Sequence, residues 1–154
     1  MPDLKAQEYE SSEREDDPGI KAGDRLLRHC RTPFQIVPDA VNGHRLSSQA
    51  FMTKKDEVGA SVDLEELLKE DGLPSDHRFG SIPATVALIA VTAGQARENA
   101  NGVAWTPKSE DPSAIGAARD ANPWHGEIIG PISRSASRRL AEKYQMVRME
   151  KFED

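Results

Sequence analysis

A single cysteine, Cys30, leaves no second thiol for an intrachain disulfide, which excludes the disulfide frameworks of small secreted domains. Aromatic side chains are scarce, with four Phe, two Trp and two Tyr, so a modest core has to be built chiefly from aliphatic and small residues. The longest uncharged apolar run, Ile82 to Gly94, is too short for the roughly 20 residues of a membrane-spanning helix. The chain opens without a charged-then-apolar leader. These absences predict a cytoplasmic protein that stays out of the membrane. The sequence also lacks a Gly-x-x-x-x-Gly-Lys phosphate loop and a Gly-x-Ser-x-Gly nucleophile elbow, so neither a P-loop nucleotidase nor a hydrolase of the elbow type is indicated.

What is present is a polar chain of 154 residues, 37% hydrophobic and 30% charged, a length typical of one domain. The net charge is -6, and the first 24 residues carry -5 of it, with eight acids against three bases. The remainder is nearly neutral, so no basic excess argues for a nucleic-acid partner. Few apolar side chains and a dense charge run predict an acidic flexible arm over residues 1–23. A single α+β domain is expected over 24–154.

Within that domain, Asn42-Gly43 sits between two strand-like pieces and predicts a β-hairpin or short extended pair. Pro33 and Pro38 mark these pieces as edge-like. The segment from Ser61 to Gly72 predicts a helix: Ser61 as N-cap, Asp63 and Glu65 in the first turn, and Leu64, Leu67 and Leu68 on one face. Ala84 to Val91 reads as a central buried strand, with a helix as the alternative. Thr92 is placed to cap a short helix, after which Asn101-Gly102 leads into a strand around Val103. Residues 108–123 read as a long loop that leaves room for one helical turn around residues 113–120. His125 to Gly130 reads as a strand, and Ser133 to Tyr144 as a helix with Ala136, Leu140, Ala141 and Tyr144 on its packed face. The alternation predicts a compact mixed sheet with two or three helices.

The chemistry-bearing residues form three groups. His29, His44, His77, His125 and Cys30 show no zinc-type spacing, so no metal and no cofactor is expected. Cys30 lies between His29 and Arg31, whose charges could favour a thiolate, yet neighbours on an extended chain point to opposite faces, and a lone, partly buried thiol is expected. The Gly130-Pro131 passage into a serine- and arginine-rich helix start is the third group. Free N–H groups at a helix start attract anions, and Ser133, Arg134, Ser135, Arg138 and Arg139 can donate to a phosphate.

Upstream, Arg28, Arg31, His44, Arg45, Ser47, Ser48 and Gln49 fall on adjacent extended segments. An arginine strand followed by a Ser-Ser-Gln strand resembles the arginine and Ser-Thr-Ser elements of ADP-ribosyltransferases, which implies a dinucleotide site, although the catalytic Glu-x-Glu of that family is missing here. The order Arg-x-x-Pro, Ser-Ser-x-Ala-Phe, Ser-Val and Asn-Pro-x-His between residues 25 and 147 resembles a group of short bacterial proteins to which no activity attaches. That resemblance implies an autonomous domain of bacterial type.

Two functions follow. The favoured one is a small accessory protein that docks onto a larger protein partner, because no complete catalytic set is visible. The other is an enzyme or sensor for a phosphate-bearing small molecule, with His125, Arg31, Ser47 and Ser48 as candidate catalytic residues. It requires these four to converge with Ser133 and Arg134 on one pocket.

Overall fold

The computed structural model describes residues 14–31, 35–41, 43–79, 85–114 and 119–150. Its elements are β1 (Arg25–Arg31), β2 (Ile36–Asp39), β3 (Gly43–Leu46), β4 (Gly59–Leu64), α1 (Glu65–Glu70), β5 (Thr85–Thr92), α2 (Ala93–Asn99), β6 (Val103–Trp105), β7 (His125–Ile129), α3 (Arg134–Ala141) and β8 (Gln145–Met149). Six strands form one sheet in the order β6-β7-β4-β1-β5-β8, and β2 pairs with β3 separately. The fold is α+β, and the strand pairings are antiparallel.

The main core lies on one face of the sheet. Leu26, Val62, Ile89, Val91 and Ile128 project from the strands and pack with Phe51, Ala96, Ile132, Ala136 and Leu140. The opposite face holds a smaller apolar cluster, Leu27, Leu68, Leu88 and Ala90, with Phe79 and Trp124 against it. β5 is buried on both faces along its centre, as its uninterrupted apolar run predicts.

Local signals account for several boundaries. Thr92 and Gln95 form a reciprocal capping box at the start of α2, which satisfies two N–H groups that the first helical turn leaves without partners. Ser133 caps α3 by accepting from the Ala136 N–H. The hairpin β2–β3 forms with Gly43 at a positive φ; Asn42 and Pro33 lie outside the described residues.

Three expectations are corrected. Ser61 is not an N-cap: Gly59–Leu64 is a strand, and the helix begins only at Glu65, with Leu64 as a cap that supplies no side-chain bond. Pairing with β7 along five residues outweighs the weak helical preference of a short segment. Residues 14–23, expected within a mobile arm, are packed on the domain. Asp16 accepts from Arg97 Nε at 2.8 Å and from the Val103 N–H at 2.9 Å, Arg97 also donates to the carbonyls of Asp17 and Ile20, and Ile20 is buried. Residues 1–13 lie outside the described residues. The helix at Ser133 ends at Ala141, before Tyr144, because the chain turns there into the edge strand β8.

Candidate functional site: a cavity where the sheet splits

β1 and β4 pair only at Leu26↔Leu64 and Leu27↔Asp63. Beyond these pairs β1 continues to Arg31 along β5, and β4 continues back to Gly59 along β7. The two strands therefore part, and a cavity of about 470 Å³ opens at the split, within the size range of small-molecule sites. Consecutive residues, Arg28 with His29 and Ser61 with Val62, line it together. Consecutive strand side chains point to opposite faces, so the cavity reaches both sides of the sheet.

Asp63 is the hub of its wall. Register places Leu27, Asp63 and His125 opposite one another on adjacent strands, hence on one face. The Asp63 carboxylate accepts from His29 Nε2 at 3.0 Å, Asn122 Nδ2 at 3.1 Å and Arg78 Nη1 at 3.4 Å. Burial pushes this carboxyl upward, but the His29 and Asn122 hydrogen bonds and the Arg78 charge outweigh it and hold Asp63 below its usual range. An ionised Asp63 only accepts, so His29 donates through Nε2 and presents Nδ1 as the nitrogen without a proton in its neutral form.

His125 is buried at 8% exposure. Its Nδ1 lies 2.8 Å from the Thr106 carbonyl oxygen, which can only accept, and 2.9 Å from Thr106 Oγ1. Burial first, then the Lys108 charge, pushes its pKa down to about 4. The imidazole is neutral near pH 7, with Nδ1–H donating. Its Nε2 and His29 Nδ1 are buried and have no hydrogen-bond partner among the described residues. Two buried ring nitrogens on cavity residues thus lack a partner among the described residues, an unusual condition for buried polar atoms.

Arg28 bridges the parted strands. Its Nε donates to Ala50 O at 2.8 Å and its Nη1 to Ser61 O at 2.7 Å, with the guanidinium 5.6 Å from the Phe51 ring centre. Burial lowers its pKa from the ordinary arginine value, although arginine keeps its charge in proteins. No carboxylate among the described residues lies within ion-pair distance of it, and Glu57 acts on it only as a more distant charge. Arg31 and Lys108, both exposed, add positive charge around the opening, and Glu57 and Asp120 add negative charge.

The sequence-derived residues divide between two places. His125 and Arg31 line the cavity at the split sheet; Ser47 and Ser48 do not. Ser47 lies in a turn, where its Oγ accepts from the Gln49 N–H. Ser48 instead lines a second cleft with Arg134, Ser135 and Arg138 at the start of α3. Ser133 is occupied as the helix cap, and Arg139 donates to Asn99 Oδ1 at 2.7 Å. The single converging pocket is therefore corrected to two separate clefts: the turn after β3 carries Ser48 toward α3, while β1 and β7 hold Arg31 and His125 at the split. Asp63, Arg78 and Asn122 were missed as site residues. The alternation in "GASVDL" was the available signal for Asp63, placing a carboxylate at a strand position facing away from Ala60, Val62 and Leu64.

Cys30 takes no part in this site. It is completely buried, and desolvation pushes its thiol up to about 12 against the opposing charge of Arg28. Its reaction with Ellman's reagent at pH 8 is expected to be negligible in the native protein and complete in denaturant. Rapid native labelling would contradict this environment. Among the described residues no group of three or more His, Cys, Asp or Glu could hold a metal ion, and no helix is long and apolar enough to cross a membrane.

Fold and cavity define the class: a small α+β domain with a polar, ligand-sized cleft at a split in its antiparallel sheet. No family model matches the chain, and no curated protein or solved structure matches it.

Proposed function

We propose that this protein binds a small anionic molecule, through a carboxylate or phosphate group, in the cavity between β1 and β4. The observation that carries the reading is Arg28, a guanidinium in the cavity wall that donates to two neutral carbonyls and to no carboxylate among the described residues. A cation partly withdrawn from water favours a counter-ion, and a guanidinium binds carboxylate or phosphate through charge-assisted hydrogen bonds. Arg31 supplies a second cation at the opening. Binding is the function supported; the two unsatisfied imidazole nitrogens are closed off from solvent, so neither meets a ligand without local rearrangement.

Thermal denaturation at constant ionic strength, with inorganic phosphate and with acetate, tests the proposal. At a ligand concentration about 100 times Kd, the melting temperature should rise on the order of 5–10 °C. Arg31→Gln should reduce the rise, and Arg134→Gln should leave it. The opposite pattern would move the anion to the start of α3 and overturn the assignment.

Docking onto a larger protein is a second reading, favoured by Trp105, which is 51% exposed on the edge strand β6. Half-exposed tryptophan is enriched at protein interfaces.

A further inference from the structure

The walls of the cavity include two strand edges whose ladder ends early. On β4, Val58 O accepts from the Gly130 N–H and the Leu64 N–H donates to Trp124 O, so the even-numbered residues bond on the β7 side. Backbone groups alternate along a strand, which turns those of Gly59, Ser61 and Asp63 toward β1. On β1, Asp24 O accepts from the Ala93 N–H, whereas Arg31 O accepts from the Gln35 N–H. The odd-numbered residues, His29 included, therefore turn toward β4. Yet pairing between β1 and β4 stops at Leu27↔Asp63, and the Arg28 guanidinium takes the Ser61 carbonyl that a closed ladder would have given to His29. The stretch of β1 from Arg28 to Arg31, which pairs with β5 but not with β4, corresponds to about 13 Å of strand.

An open strand edge recognises an extended peptide by main-chain hydrogen bonds. The geometry points to a short extended peptide with a free C-terminal carboxylate as the ligand class of this cavity: its main chain pairs with Gly59 and with the Ser61 N–H, the Ser61 carbonyl being held by Arg28, and its carboxylate meets Arg28 and Arg31. This rests on the anion-binding reading above and narrows it. A bare phosphate engages the arginines and leaves the β4 edge to water. A peptide acid engages both. Glu57 and Asp120, also lining the cavity, disfavour further acidic side chains on the ligand through like-charge repulsion.

The test uses the full chain labelled with ¹⁵N and three probes: N-acetyl-tetraalanine acid, its C-terminal amide, and inorganic phosphate. Calorimetry should show the acid binding at least about tenfold more tightly than the amide, the scale of a lost charge-assisted contact. The Gly59 and Ser61 amide resonances should shift with the acid. Arg31→Gln, at an exposed position, should weaken the acid about tenfold with unchanged far-UV circular dichroism. Phosphate binding as tightly as the acid, with Gly59 and Ser61 unmoved by the acid, would overturn the peptide inference and leave anion binding standing. Failure of all three probes to bind would overturn both.

Discussion

Asp63→Ala should destabilise the fold by about 3–5 kcal/mol, the usual cost of removing one partner from a buried charge cluster, and lower the melting temperature by about 6–20 °C for a domain of this size. Asp63 ties together two strands and two loops: His29 from β1, its own β4, Asn122 just before β7, and Arg78 after α1. Alanine leaves those donors facing a hole, and Arg78 as a positive charge without its partner. Asp63→Asn keeps the volume and one acceptor, so its loss should be clearly smaller. Calorimetric melting of the two variants beside the native protein decides this. A loss below about 1 kcal/mol for alanine, within the range of ordinary substitutions, would mean that Asp63 is not the hub its geometry describes.

The second large effect is on pH. His125 is held neutral, with its pKa depressed to about 4, against an ordinary value of about 6.5 in the unfolded chain. Between these values the unfolded state binds the proton and the folded state does not, so stability rises with pH across this window. The contribution is fully present above about pH 6.5 and is lost as pH falls toward 4. The full difference is on the order of 3 kcal/mol. The groups setting the shift are the surrounding burial, Lys108 and Arg78 on one side, and Thr106 and Asp63 opposing them. Urea midpoints measured from pH 7.5 to 4 should decline for the native protein and decline less steeply for His125→Asn, whose side chain can still donate to Thr106 O. Equal slopes would show that His125 does not carry this dependence. Asp63 acts in the same direction lower on the scale: its depressed carboxyl contributes stability above about pH 3.9 that is lost as pH falls further.

Much of the fold was legible because local signals and tertiary packing agree. The Thr92 cap, the buried run of β5, the exit at Gly102 and the strand from His125 are each fixed by one or two residues acting over a few positions. Residues 59–64 failed the same reading. "SVDLEELL" satisfies a helical pattern from Ser61 and an alternating pattern from Gly59 equally well, and only the presence of β7 alongside selects the strand. That one choice concealed the site. As a first-turn helical residue Asp63 is an ordinary dipole partner; as a strand residue it faces His29 and His125. Arg31 and His125 were found because their chemistry stands out individually. Ser47 and Ser48 looked like companions in sequence, but the turn after β3 directs Ser48 to α3 instead.

The sequence by itself determined that the chain has one thiol and no intrachain disulfide, that its described core is largely aliphatic, and that strands alternate with short helices in an α+β domain. Those properties depend on composition and on periodicities of a few residues. Tertiary structure alone decided that β1 and β4 meet for two residue pairs and then part, that Arg28 crosses the opening, and that a carboxylate read as helical becomes the buried partner of an imidazole 34 positions away. The physical reason is range: a cap or a hydrophobic period is set by neighbours along the chain, whereas a split in a sheet depends on which strand each edge finds to pair with.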